Sequence, residues 1–132
     1  MHSPESLLDS ARRAREGAYA PYSRFAVGAV VETADGSLFS GSNVENASYG
    51  LTLCAERIAI AQAVVSGHRD LRALAVAGPP EATSVPCGAC RQFAAEFNPA
   101  ARVTYTTPAG AVTTTLDRLL PDAFHGDAAA GT

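Results

Sequence analysis

The order of apolar segments predicts an α/β protein, a three-layer α/β/α sandwich around a mixed five-stranded sheet. Three observations carry the prediction. Helix-periodic apolar runs alternate with short runs rich in Val, Leu and Ala. A turn sequence, Ala34-Asp35-Gly36-Ser37, joins two of the short runs as a hairpin. A length of 132 residues suits one domain that buries roughly two thirds of its unfolded surface. Residues 1–126 are read as that domain, and residues 127–132, small residues with one aspartate, as a disordered tail.

The first helix begins where Ser3 offers a capping hydroxyl, Pro4 a first-turn proline and Glu5 an acid, and it stops at Gly17. Leu7, Leu8, Ala11 and Ala14 recur at helical spacing, so this helix packs on the sheet and contributes no chemistry. Phe25–Thr33 and Leu38–Asn43 read as the two antiparallel strands of the hairpin. A helix over Thr52–Ser66 is apolar nearly all round, which places it between the sheet and other helices or subunits, with Gly67 as its stop. His68 just beyond reads as a surface residue or a C-terminal cation. Leu71–Ala77 has the composition of a buried parallel strand. Arg102–Thr106 and Ala111–Thr115 read as strands at a sheet edge, followed by a short helix over Leu116–Leu120.

Composition narrows the function classes. Net charge is −3, and all ten basic residues are arginines scattered along the chain, which argues against a phosphate-tracking nucleic-acid surface. The absence of lysine excludes a lysine Schiff base. No segment approaches the apolar length of a membrane span and no leader pattern stands at the N-terminus, so a cytoplasmic location is expected. Three cysteines in metal-like spacing suit a reducing compartment better than a disulfide framework.

Those cysteines organise the chemistry. Cys54 stands two residues before Glu56 at one helix start, and Cys87 and Cys90 are three apart at another, in Pro86-Cys87-Gly88-Ala89-Cys90. Residues three apart on a helix share a face, so Cys87 and Cys90 can point at one ion while Cys54 supplies a third sulfur. Three protein ligands leave one tetrahedral position of zinc open to water, the mark of a catalytic site. Glu56 would lie beside that water as a proton carrier. Three thiolates make the site net negative; two helix N-termini and Arg57, able to donate to the sulfurs, would compensate. Asn43 and Glu45 occupy alternate positions after a strand and offer the amide and carboxylate that suit sugar hydroxyls. Taken alone, Phe25 and Phe124 read as ordinary packing residues and Asn46 as an Asx turn. Gln92 and Phe93 read as supports packed against the site.

Cys54-Ala55-Glu56-Arg57, followed about thirty residues later by Pro86-Cys87-Gly88-Ala89-Cys90-Arg91-Gln92, resembles the small homotetrameric zinc cytidine deaminases, and the resemblance runs from about Tyr19 to Phe124. It implies a cytidine deaminase-like fold and one Zn2+ per chain on Cys54, Cys87 and Cys90, where many members use histidine first. It also implies hydrolytic deamination of cytidine and 2′-deoxycytidine through a zinc-activated water, with Glu56 as the acid/base, a step of pyrimidine salvage. By the same resemblance Phe25 lines the pyrimidine pocket, Asn43 and Glu45 hold the ribose, and Ala55 contacts substrate. Ala47, Tyr49 and Phe124 reach a neighbouring subunit's site in a homotetramer. The chain departs from the family pattern at Ser48 for cysteine, Gly50 for proline, Val85 for serine and His125 for glycine.

Other readings explain less. A structural zinc module would close its shell with four ligands, and the chain has three cysteines and no placed histidine. A thiol redox protein would use Cys87 and Cys90 but leaves Cys54 and Glu56 without a role. The nearest rival is a deaminase of a modified pyrimidine nucleoside of the blasticidin type; Phe25, Asn43, Glu45 and Phe124 favour an ordinary nucleoside. Nucleic-acid editing lacks a basic channel.

Overall fold

The computed structural model describes residues 1–126, so the tail read at 127–132 lies outside the described residues. Its elements are α1 (Pro4–Ala14), a 3-10 turn (Arg15–Gly17), β1 (Gly28–Thr33), β2 (Leu38–Ser42), a second 3-10 turn (Tyr49–Leu51), α2 (Ala55–Val65), β3 (Leu71–Ala77), α3 (Gly88–Ala95), β4 (Arg102–Thr107), β5 (Gly110–Thr115) and α4 (Leu116–Leu119). The strands form one mixed five-stranded sheet in the order β2-β1-β3-β4-β5. The α/β/α architecture expected from the sequence is present.

Strand β3 differs from the parallel strand its composition suggested. It is parallel to β4 but antiparallel to β1. The reason is topological: α2 carries the chain from β2 across β1, so β3 enters in the direction of β2 and opposite to the strand between them. The first strand is also shorter than expected. Phe25–Val27 leave the ladder because their backbone is bonded to the Asn43 side chain.

Every residue of β1 is buried, since both faces of the sheet are covered. On one face Leu7, Leu8 and Ala11 of α1 pack against Val30, Ala73, Ala75 and Ala77. On the other, Ala55, Ala59, Ile60 and Ala63 of α2 meet Ala29, Val31, Leu74 and Val76. Strand periodicity of two sorts these side chains between the layers. Small residues bring the helices close. A Cβ on Gly28 would lie 2.0 Å from the Ala11 carbonyl, and one on Gly41 would lie 2.7 Å from Ala55 O and Ala59 N. Gly41 therefore sets the distance at which the start of α2 sits on the sheet. Of the covers expected for the all-round apolar α2, other helices or subunits, this chain supplies none at the far end, where Val65 is 84% exposed.

Glu32 interrupts the apolar run of β1 and is fully buried. Its Oε2 accepts the His2 backbone N–H at 2.8 Å, lies 2.6 Å from His2 Nδ1 and 4.0 Å from Arg72 Nη1, while Arg102 donates to the His2 carbonyl at 3.0 Å. Burial would raise the Glu32 pKa, but the bonds from His2 outweigh it and hold the carboxyl below its ordinary value. A depressed folded pKa contributes stability above the unfolded value and loses it as pH falls through the folded one. His2→Ala is accordingly expected to destabilise the fold at pH 7 by about 1–3 kcal/mol, the cost of a buried acceptor left short of a partner. The deficit should narrow below the ordinary carboxylate value of 4.5. Thermal melts of both proteins across that range check it; a deficit independent of pH contradicts the Glu32 account.

Candidate active site

Two helix starts converge here. Cys54 is the N-cap residue of α2, Cys87 the N-cap residue of α3, and Cys90 lies in the first turn of α3. The sequence placed Cys54 inside its helix, but Leu53 is held extended by a bridge to Val44, so α2 begins one residue after the cysteine. An N-cap side chain normally accepts a hydrogen bond from the first turn. Neither cysteine does, so both sulfurs are left uncommitted by capping and meet at the junction of the two helices.

All three cysteines are free thiols. Cys54 Sγ lies 4.0 Å from Cys87 Sγ, Cys87 Sγ lies 3.4 Å from Cys90 Sγ, and the three sulfurs fall within 4.8 Å of one another. Sulfurs bound tetrahedrally to zinc at about 2.3 Å are roughly 3.8 Å apart, so this spacing fits one ion. Among the described residues this is the one group of three potential metal ligands drawn from His, Cys, Asp and Glu. Exposure falls from Cys87 through Cys54 to the fully buried Cys90, giving the cluster an open side and a closed one.

The charges are arranged around the sulfurs. A hydrogen bond from Cys90, aided by Arg57, pulls the Cys54 thiol down to about 5. The same bond and burial push Cys90 up. Arg57 Nη2 donates to Cys54 Sγ at 3.5 Å and to the Thr52 carbonyl at 3.3 Å. Arg57 is thus a support for one sulfur. Glu56, at the second position of α2, is 5% exposed, and burial raises its carboxyl to about 7, with the Cys54 thiolate adding to the rise. A cation among the sulfurs would draw that value down.

Glu56, Cys54 and Cys87 form part of the wall of a cavity of about 190 Å³, which also includes Phe25, Ala55 and Val85. A groove of about 460 Å³ adjoins it, bordered by Glu45, Tyr49 and Arg57. Phe25, Asn43, Thr52 and Cys54 belong to both, so the two form one cleft with the thiols at its inner end. The inner part suits a single planar ring and the outer groove a polar appendage.

Asn43 and Glu45 turn inward together, as their alternate spacing suggested, because exposed Val44 between them is bridged to Tyr19 and Leu53. Their polar atoms already have partners. Asn43 Nδ2 donates to Phe25 O at 2.8 Å and its Oδ1 accepts Val27 N–H at 2.9 Å. Glu45 Oε1 accepts the N–H groups of Tyr22 and Ser23, and its Oε2 bonds the Ser23 hydroxyl. In this chain the two residues shape the Tyr22–Val27 loop that presents Phe25. Asn46 forms the expected Asx turn, accepting from Ser48 N–H at 2.8 Å.

Ala47 is exposed, and Tyr49, 64% exposed, stands at the rim of the groove. Phe124 is 77% exposed and lies outside its own chain's cleft. Phe93 is not a support of the site: the helical turn points it to Phe97, ring centroids 6.1 Å apart. Gln92 bonds the backbone of Phe124 instead of the site. The sequence reading missed Thr52 and Ser84 as cleft residues. Ser84 is buried with no partner for its hydroxyl, a packing detail that no spacing signals.

Known proteins share the sequence and fold of this chain. Residues 1–107 match the model of the cytidine and deoxycytidylate deaminase zinc-binding region. The chain is 48% identical over 125 residues to a cytidine deaminase of Halalkalibacterium halodurans, covering 93% of this chain and 95% of the relative. It is 47% identical to one of Sporosarcina psychrophila, over 91% and 90% of the two chains. The crystal structure of cytidine deaminase from Burkholderia pseudomallei superposes with a TM-score of 0.88 at 46% identity, covering 93% of this chain and all of that one. With a family model spanning most of its length, close relatives at nearly full coverage and the same fold around three convergent thiols, the chain belongs to the cytidine and deoxycytidylate deaminase family.

Proposed function

We propose that the protein hydrolyses cytidine and 2′-deoxycytidine to uridine and 2′-deoxyuridine, releasing ammonia. The observation that carries this reading is the buried carboxylate of Glu56 beside three convergent thiols, two of which, Cys54 and Cys87, line a nucleoside-sized cleft with it. Cys54, Cys87 and Cys90 would hold Zn2+, and their spacing fits it. Zinc, when bound, supplies the Lewis acidity that makes a water nucleophilic near neutral pH.

The remaining work falls to the chain. Glu56 takes the first proton from the attacking water and delivers it to ring N3 as the water oxygen bonds to C4. It then takes the second proton from the hydroxyl so formed and passes it to the amine, so that the C4–N bond breaks, ammonia leaves and the C4 carbonyl remains. Its burial favours this, because a carboxylate withheld from solvent is a stronger proton acceptor than one in water. Phe25 packs against the pyrimidine and Ala55 forms the floor beneath it. Asn43 and Glu45 order the loop that carries Phe25 and face the groove where the sugar sits.

Arg57 offsets part of the thiolate charge through Cys54. Arg57→Gln is expected to retain zinc and lower kcat by about 10–100-fold, the range seen when an outer partner of a metal ligand is lost. Metal analysis and steady-state kinetics on one sample check this; unchanged kcat contradicts the charge role.

Residues 1–126 act as one domain in this reading, and the protein works in the cytoplasm as a homotetramer in which Ala47, Tyr49 and Phe124 reach a neighbour's cleft. The exposure of Tyr49, Phe124 and Val65 supports such contacts. The acidic balance of the chain and its scattered arginines favour a free nucleoside over nucleic acid. No helix among the described residues is long and apolar enough to cross a membrane. Turnover of cytidine by the zinc-loaded protein, followed in the ultraviolet, tests the activity; sedimentation at working concentration tests the assembly.

A further inference from the structure

Consecutive residues of α3 grip the last described segment at both ends. Arg91 donates from Nε to the Pro86 carbonyl at 2.7 Å and from Nη1 to the Leu119 carbonyl at 2.8 Å. Gln92 bonds Phe124 twice: Nε2 donates to the Phe124 carbonyl at 2.8 Å, and Oε1 accepts the Phe124 N–H at 3.3 Å. One amide thus satisfies both backbone polar groups of a single residue, as a neighbouring strand would. Between the grips the chain turns through Asp122 at φ 55°, the left-handed region that aspartate tolerates. The ring carried by this pinned backbone is nevertheless 77% exposed. Holding a backbone still while its phenyl ring stays in water gains nothing from burial within the chain. The arrangement suits a ring presented to a surface elsewhere. The cleft has a matching need, since its rim carries Phe25 and Tyr49, 37% and 64% exposed.

We propose that Gln92 is a positioning residue whose amide fixes Phe124 so that the ring enters the cleft of a second copy of this chain. The inference rests on the deaminase reading and the assembly above, and adds the element that sets the ring's position. Because Gln92 follows Cys90 by two residues on α3, the ring is held by the helix that carries two of the three sulfurs.

The test is steady-state kinetics on cytidine with zinc content and melting temperature measured alongside. Gln92→Ala should raise KM about tenfold with kcat within about threefold, as expected for the loss of two neutral hydrogen bonds that act only through placement. Gln92→Glu keeps the acceptor for the Phe124 N–H but sets a negative charge against its carbonyl, and should raise KM likewise. The Gln92→Ala/Phe124→Ala double variant should be no worse than Phe124→Ala alone, because the two act as one unit. A wild-type KM in Gln92→Ala, or losses that add in the double variant, overturns the proposal. Mixing zinc-loaded Phe124→Ala chains with Glu56→Gln chains places the ring: after subunit exchange KM should fall towards the wild-type value, and an unchanged KM overturns insertion into a second copy. Wild-type turnover with an unaffected Gln92→Ala sinks this inference alone; a wild-type protein inactive on both nucleosides sinks the deaminase reading and this inference with it.

Discussion

Glu56→Gln should leave zinc on the protein and remove nearly all turnover, with kcat lower by about a thousandfold, within the range contributed by a positioned acid/base. The substitution keeps the shape of a side chain that is 5% exposed and packed at the start of α2, so the fold has little reason to change. What it removes is a proton acceptor in a place where solvent cannot substitute. The amide has no accessible protonation step near neutral pH, whereas burial holds the carboxyl at about 7 before a cation lowers it. KM should move much less than kcat, because Glu56 is needed for the movement of protons more than for holding the ground state. Metal analysis beside single-turnover kinetics decides the matter. Loss of zinc from the Glu56→Gln variant would assign Glu56 to the metal shell, and substantial remaining turnover would remove it from proton transfer.

The second large effect is expected at Cys90. Cys90→Ala removes one of three sulfurs, the fully buried one on the closed side of the cluster. Structural zinc sites hold their ion with about 10–16 kcal/mol shared among their ligands, so losing one should weaken binding by at least about a hundredfold. The variant should purify with little zinc and no measurable deamination. Thiol titration gives an independent reading. In the wild-type protein the three thiols should react slowly until a chelator is added; in Cys90→Ala, Cys54 and Cys87 should react at once without it. Equal thiol reactivity in both proteins, with and without chelator, would mean that the sulfurs do not share an ion.

The site was legible because its chemistry is written in local spacing. Cys54, Glu56, Cys87 and Cys90 needed only two helix starts brought together, and capping signals and apolar periodicity are local properties. The antiparallel β1–β2 hairpin and the β4–β5 pair at the sheet edge were legible in the sequence, whereas the order of the strands and the mixed pairing of β3 depend on where α2 crosses the sheet. What escaped depends on partners far apart in the chain. Glu32, next to last in β1, is bonded to His2, thirty residues earlier, and the His2 carbonyl is held by Arg102, a hundred residues on. The bonds of Asn43 and Glu45 to the Tyr22–Val27 loop are of the same kind: the residues were singled out for a sugar, while the loop they order cannot be read from spacing. Gln92 and Phe93 show the limit within one helix, where a rotation of about 100° per residue sends Phe93 to Phe97 and Gln92 to the backbone of Phe124.

The most direct measurement is the ultraviolet change on incubating the purified protein with cytidine, with zinc determined on the same sample. The account predicts conversion to uridine, zinc bound to each chain, and loss of both on chelation. Zinc on every chain without turnover of cytidine or 2′-deoxycytidine would contradict it and move the assignment to a modified pyrimidine nucleoside.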